Sequence, residues 1–370
     1  MNRKPIGATL TKLQELHRNG QSVWYDFIRR DMLTGSGLKD LVASGVRGVT
    51  SNPSIFEKAI ADSNLYDEQI ASLTDLAPAA IFESLAIDDI RAAADVLAAV
   101  HDTSKGHDGF VSLEVSPELA HDTSATIADA MRLWSAVDRP NLMVKVPATT
   151  AGVPAIEELT AAGLNINATL MFSLSDYESV AMAYIRGAER ASDPSGLASV
   201  ASFFVSRVDA STDAALERVG TARALSLRGK AAVANAKVAY HRYRELFEGQ
   251  RFAALQEAGA RPQRVLWAST STKNPEYSDV MYIEELIGPN TVNTAPPATI
   301  DAFIDHGSIR GDSLLTSTGE AAKFIDSLPN EGIDFEAITA TLQIDGVDAF
   351  ADAYSTLLDA IERKRVQMST

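Results

Sequence analysis

The sequence predicts an α/β chain folded as a single (β/α)8 (TIM) barrel, with additional N-terminal, inserted and C-terminal helices. Three observations predict it. Eight short strand-like segments alternate with helical patterns between residues 22 and 295. On the third, fourth and fifth of them the polar residues share one parity and Val, Leu or Ile the other. No Gly-x-Gly-x-x-Gly fingerprint or Walker loop supports nucleotide binding, which weighs against a doubly wound open sheet. The whole chain, 1–370, is expected to form one barrel domain.

Residues 8–20 read as a short amphipathic helix ending at Gly20. Ser22-Val23-Trp24-Tyr25-Asp26 is the first strand, with its acid at the end. Gly45 to Asn52 is the second and runs into Pro53, and proline in the first turn after asparagine signals a helix start. Residues 53–104 read as mostly helical, broken at Pro78. Phe110 to Val115 is the third strand and Leu142 to Pro147 the fourth, followed by a helix near 153–162 that stops at Gly163. Leu164 to Leu170 alternates strictly, and a helix follows to about residue 190. Ala198 to Val205 is the sixth strand. Residues 208–263 carry Ala, Arg and Lys at helical spacing, so they read as a helical insertion rather than a linker. Val265 to Ser269 and Thr291 to Thr294 supply the last two strands. Residues 299–366 read as further helices, ending in an amphipathic segment from Val347 to Arg363.

Composition narrows the function. The net charge of −16 argues against general binding to nucleic acid or an anionic membrane. With no cysteine there is no disulfide, thiolate nucleophile or zinc–thiolate site. Met1 to Gly20 is polar and lacks the apolar centre of a signal peptide, and no run approaches the ~20 apolar residues of a membrane span. The six histidines show no close metal-ligand spacing. A cytoplasmic protein that uses neither metal nor cofactor is the expectation.

In such barrels the active site lies at the C-terminal ends of the strands. Those ends collect Asp26, Asn52, Glu114, Lys145, Asn167, Thr169, Ser202 and Ser269. Lys145 is the one lysine in a buried strand of valines and a methionine. Lost hydration disfavours an ammonium, and a neutral amine can attack a carbonyl to form a Schiff base. Each residue also has a plainer reading. A lysine at a strand end snorkels to water or pairs with an acid. Asp26 and Asn52 read equally as helix caps, and Glu114 as a structural partner of Lys145. Asn167 and Thr169 read as a buried hydrogen-bonded pair, and Ser202 and Ser269 say little alone.

These residues carry a family resemblance. Gly48 to Ser54, Val111 to Val115, Leu142 to Pro147, Gly163 to Leu170 and Ser202 to Arg207 resemble, in that order, the stretches of transaldolases in their longer bacterial branch. The spacing of Lys145 and Asn167 agrees as well. The resemblance implies a class I Schiff-base enzyme of the pentose phosphate pathway. Lys145 would form the imine. Glu114 would shuttle protons through a water held by Thr169, and Asp26 would take the C4 hydroxyl proton as the C3–C4 bond breaks. Asn52, Asn167 and Ser202 would hold the hydroxyls of a dihydroxyacetone unit, and Arg207 would bind the phosphate of the sugar phosphate.

Glu114 and Phe204 stand where the related fructose-6-phosphate aldolases carry Gln and Tyr, so the resemblance is to transaldolase. An apolar Phe204 offers no proton to a carbanionic enamine. The run from Ala268 to Lys273 departs from the shorter transaldolases, being slightly longer and carrying lysine in place of arginine. Lys273 is therefore the candidate for the second phosphate contact, and Ser269 is counted among the substrate-binding residues. The implied reaction moves dihydroxyacetone reversibly from sedoheptulose 7-phosphate to glyceraldehyde 3-phosphate, giving erythrose 4-phosphate and fructose 6-phosphate. Sugar phosphates are the expected partners, and a homo-oligomer is compatible with the resemblance. The rivals are a fructose-6-phosphate aldolase, which releases free dihydroxyacetone without an acceptor, and a non-catalytic sugar-phosphate-binding barrel.

Overall fold

Alternating side chains along the eight segments let each strand bury one face in a barrel and the other beneath helices. The strands are β1 (Gln21–Tyr25), β2 (Val46–Val49), β3 (Phe110–Glu114), β4 (Leu142–Pro147), β5 (Ile166–Met171), β6 (Ser199–Phe204), β7 (Arg264–Ala268) and β8 (Thr291–Ala295). All neighbours are parallel, the order is sequential, and β8 pairs back onto β1 to close the barrel. This computed structural model describes residues 10–368. Residues 8 and 9 of the expected first helix, and the first nine residues of the polar N-terminal stretch, lie outside them.

Strand ends differ from expectation by a few residues, because ladder bonding stops before the polar residue. Asp26 and Ser269 each stand one residue past their strand. Asp26 still donates its backbone N–H to Ala295 at 2.9 Å. Asn52 lies beyond β2 as the cap of the helix Pro53–Ala61, its side chain accepting from the Ile55 N–H at 3.0 Å. Pro78 both ends the preceding helical run and opens the helix Pro78–Thr103. β5 contains a surprise: Leu170 has φ +62°, and the register with β6 shifts between Ala168 and Met171. A bulky residue in the left-handed region stores backbone strain, here directly after Thr169.

The N-terminal end of the barrel is bolted by one buried acid. Asp108 accepts from Ser22 Oγ at 2.6 Å, Trp24 Nε1 at 3.1 Å, Arg47 Nε at 2.8 Å and Arg264 Nη2 at 3.1 Å. Burial pushes this carboxyl up, but the two arginines and Ser22 outweigh it and hold it below the usual carboxylate range.

The expected helical insertion is present as helices Ser206–Val219, Ala222–Leu225, Ala231–Phe247 and Gln250–Glu257. Two of its aspartates tie down the segment after β7. Asp209 accepts from Tyr282 Oη at 2.8 Å and the Ala232 N–H at 2.8 Å. Asp213 accepts from Tyr277 Oη at 2.6 Å and the Gly229 N–H at 2.9 Å. The C-terminal helices include Pro297–His306, Thr318–Ser327 and the 34-residue Phe335–Met368. The last of these is joined to the C-terminal end of the barrel. Gln343 Nε2 donates to the carbonyls of Ala148 (3.1 Å) and Leu170 (3.2 Å), just after β4 and within β5. Further along, Lys364 Nζ donates to Ser63 O and Asp67 Oδ1, each at 2.7 Å. Among the described residues no helix is long and apolar enough to cross a membrane.

Candidate active site

The register of parallel strands decides which side chains meet. In the β3–β4 ladder Glu114 pairs with Lys145, and in the β4–β5 ladder Lys145 pairs with Asn167. Three polar residues of like parity therefore stand side by side at the C-terminal end. Lys145 is buried, at 4% exposure, and shares its face of the sheet with Glu114 and Asn167. Its Nζ donates to the Ser51 carbonyl at 3.2 Å and lies 3.6 Å from Glu114 Oε2. The second distance is too long for a direct hydrogen bond, so the two groups attract without locking. The plainer reading of Glu114 as an ionic neighbour of Lys145 is thus realised, and it is compatible with proton transfer.

Glu114 is in an unusual state. Burial pushes its carboxyl up to about 7, against the pull of the Lys145 charge and with some help from Asp26. Its Oε2 is buried with no hydrogen-bond partner. The Thr169 hydroxyl, also buried, has none either. Buried polar atoms without a partner are rare in folded proteins. The expected Asn167–Thr169 bond is not formed. Asn167 instead accepts from Ser202 Oγ at 2.7 Å and donates to Ser112 Oγ at 2.9 Å.

A cavity of about 580 Å³ opens over Lys145. Asp26, Asn52, Thr169, Ser202, Phe204, Arg207, Ser269 and Lys273 all line it. Of the residues expected from sequence, Asn167 and Glu114 do not. Asn167 is fully buried and bonded to Ser202, whereas Glu114 lines a neighbouring cavity of about 540 Å³ that shares Asn52 with the first. Asp26 accepts from Thr50 Oγ1 at 2.6 Å, and Thr50 also bonds Thr294 at 2.6 Å. Burial raises the Asp26 carboxyl, while Thr50, Lys145 and Lys273 oppose it. The outcome is a stronger base than an ordinary aspartate. Asn52 spends its side-chain oxygen on the helix cap, which leaves its amide N–H groups for a ligand.

The rim is cationic. Lys58, Arg207 and Lys273 line the cavity, and Asp26 is the one carboxylate among its lining residues. Burial pushes Lys273 down, and the charges of Arg207 and Lys58 push it further, which shows the three share one field. The Arg207 carbon Cζ lies 5.8 Å from the centroid of the Phe204 ring. Burial lowers Arg207 too, with Asp345 of the last helix opposing. Ser269 has φ +56° and its hydroxyl bonds Ser206 at 2.9 Å, so the turn after β7 is fixed against the start of the helix Ser206–Val219, which follows β6.

Among the lining residues that the sequence reading did not single out are Lys58 and Phe350. Lys58 follows Ser54 by one helical turn, so the cap at Asn52 and the i, i+4 rule were enough to place it beside the site. Phe350, from the last helix, puts its ring centroid 5.5 Å from Lys145 Nζ. No local signal distinguishes it from an ordinary core residue.

Comparison with known proteins agrees with this geometry. A family model described as transaldolase/fructose-6-phosphate aldolase matches residues 23–361. The transaldolase of Mycolicibacterium paratuberculosis is 48% identical, covering 95% of this chain and 96% of its own. That of Frankia alni is also 48% identical, covering 95% and 97%. Transaldolase 1 of Streptomyces coelicolor is 46% identical over 96% and 95%. With a closed eight-stranded barrel, a buried lysine between two polar strand neighbours and matches over nearly its whole length, the chain belongs to the transaldolase/fructose-6-phosphate aldolase family.

Proposed function

We propose that the protein is a transaldolase, carrying a dihydroxyacetone unit from sedoheptulose 7-phosphate to glyceraldehyde 3-phosphate and back. The observation that carries the reading is the buried Lys145 amine, held by Ser51 O and 3.6 Å from a carboxyl poised at about 7. Attack on the ketose carbonyl gives a carbinolamine, and its hydroxyl must leave as water. Glu114, half protonated near neutrality, can give and retake that proton through a water beside Thr169. The resulting iminium draws electrons from the C3–C4 bond while Asp26 accepts the C4 hydroxyl proton. Ser202 and Asn52 face the same cavity and suit the hydroxyls of the three-carbon unit, with Asn167 holding Ser202 from beneath. Arg207, Lys273 and Lys58 suit a phosphate dianion in a protein that is otherwise strongly acidic. A cytoplasmic setting accords with such substrates.

Phe204 favours transfer over simple aldol cleavage, because its apolar ring offers no proton to the enamine where a tyrosine would. The test is an assay with fructose 6-phosphate, with and without erythrose 4-phosphate. Sedoheptulose 7-phosphate should form with the acceptor, and free dihydroxyacetone should be a small fraction of turnover without it. Rapid release of dihydroxyacetone in both cases would make the protein an aldolase. No reaction in either would leave a binding barrel.

A further inference from the structure

After C3–C4 cleavage the donor carbon holds an electron pair conjugated to nitrogen, and it has two fates. It can attack the acceptor aldehyde, forming a carbon–carbon bond while the aldehyde oxygen takes a proton. Otherwise it takes a proton from water, and a second water hydrolyses the imine to free dihydroxyacetone and the Lys145 amine. Which fate wins depends on whether water reaches that carbon before the acceptor does.

The barrel supplies one apolar wall, Phe204, backed by Phe172 at a ring–ring distance of 5.0 Å. The other wall comes from outside the barrel. Phe350, on the helix Phe335–Met368, lines the same cavity and sits with its ring centroid 5.5 Å from Lys145 Nζ. It is 5% exposed, so the ring is wedged between helix and site and not displayed to solvent. Its helix is seated closely. Gln343 bonds the carbonyls of Ala148 and Leu170 two turns earlier. Gly346, one turn before Phe350, lies so near β5 that a Cβ there would stand 3.1 Å from Leu170 Cδ2. The partners of this seat lie at the ends of two strands, Ala148 just after the strand that carries Lys145 and Leu170 within the strand that carries Thr169. The helix therefore has little freedom to lift, and the ring is held where the enamine would form.

We propose that Phe350 is a specificity-determining residue: it closes the solvent side of the Lys145 site and so keeps the enamine for the acceptor. This rests on the transaldolase reading. It differs from a packing role, because packing alone would alter stability without altering the partition between the two fates.

The experiment uses the full chain with fructose 6-phosphate in deuterated water, with and without erythrose 4-phosphate. It measures sedoheptulose 7-phosphate, free dihydroxyacetone and the deuterium it carries. Phe350→Ala should raise the ratio of dihydroxyacetone release to transfer by roughly tenfold or more, with deuterium on the released carbon. Phe350→Leu, which keeps an apolar wall, should stay near the wild-type ratio. Should the alanine variant fail to fold, Phe350→Val, a smaller truncation, is read by the same ratio. An unchanged ratio in the alanine or valine variant, with borohydride still trapping the sugar on Lys145, overturns the proposal. Absence of any trapped adduct in the wild-type protein overturns the transaldolase reading itself.

Discussion

Glu114 and Asp26 both feel the Lys145 charge, and burial pushes both carboxyls up. For Glu114 the consequence can be worked out. It is mostly protonated below about 7 and mostly charged above, and carbinolamine dehydration needs a proton donor. The ratio of borohydride-trapping rates, wild type over Glu114→Gln, reads that donor. That ratio should fall as pH rises through about 7, and a flat ratio would remove Glu114 from the proton path. At the rim, a hydrogen bond from a charged group is worth roughly 1.5–3 kcal/mol, so Lys273→Ala should lower kcat/KM on fructose 6-phosphate roughly 10- to 150-fold. Arg207→Ala should cost more, since guanidinium grips phosphate with two bonds. Lys58→Ala should cost less than either, because Lys58 is exposed and its charge is screened by salt. Unphosphorylated pairs should be unaffected, and an equal loss on both kinds of pair would assign these residues to structure. Lys145 was legible in the sequence because a charge inside an apolar strand contradicts its surroundings. Phe350 was not, because an apolar residue on an amphipathic helix looks the same whether it faces the core or a reacting carbon.

Elements bring these residues together, and here the sequence was informative about type and weaker about ends. All eight strands were readable in the sequence, the third, fourth and fifth from the parity of their polar residues, but the positive φ of Leu170 was not. Nothing in Ala168-Thr169-Leu170 announces a left-handed leucine, which is held by the contacts of a helix far along the chain. The insertion was readable as helical, while its use was hidden, because that use lies in pairs distant in sequence. Asp213 reaches Tyr277, and Asp209 reaches Tyr282, so the helix after β6 anchors the segment that bears Lys273. Burial raises Asp209 to about 6, so this anchor is itself a buried acid held by hydrogen bonds. Losing one such bond is worth roughly 0.5–1.5 kcal/mol, so Tyr277→Phe should raise KM for phosphorylated substrates roughly 2- to 10-fold, with kcat little changed. The comparison that checks this is KM on phosphorylated against unphosphorylated donors. A fall in kcat on both would mean that the loop supports the chemistry and not the phosphate.

On the scale of the whole molecule, stability and chemistry occupy opposite ends of the barrel. The Arg47–Asp108–Arg264 cluster closes the N-terminal end, and the reacting groups crowd the other. Asp108→Asn leaves two arginines without their shared charge and should destabilise the fold by roughly 3–5 kcal/mol. Because the native carboxyl is held below its usual range, its contribution is full above the ordinary carboxylate pKa and is lost as pH falls through the depressed value. The gap in unfolding free energy between wild type and variant should therefore narrow in acid. Activity per folded molecule should be unchanged, and a lowered kcat with unaltered stability would refute this division of labour.

In the proposed mechanism Lys145 carries the substrate as an imine, with Glu114 serving its formation and Asp26 the cleavage that follows. Borohydride reduction in the presence of fructose 6-phosphate, followed by peptide mass mapping, reads this chemistry at the lysine itself. The expected products are a reduced three-carbon adduct on the peptide containing Lys145 in the wild-type protein, and the intact six-carbon sugar at the same residue in Asp26→Ala. An adduct on another lysine, or full activity in Lys145→Ala, would contradict it.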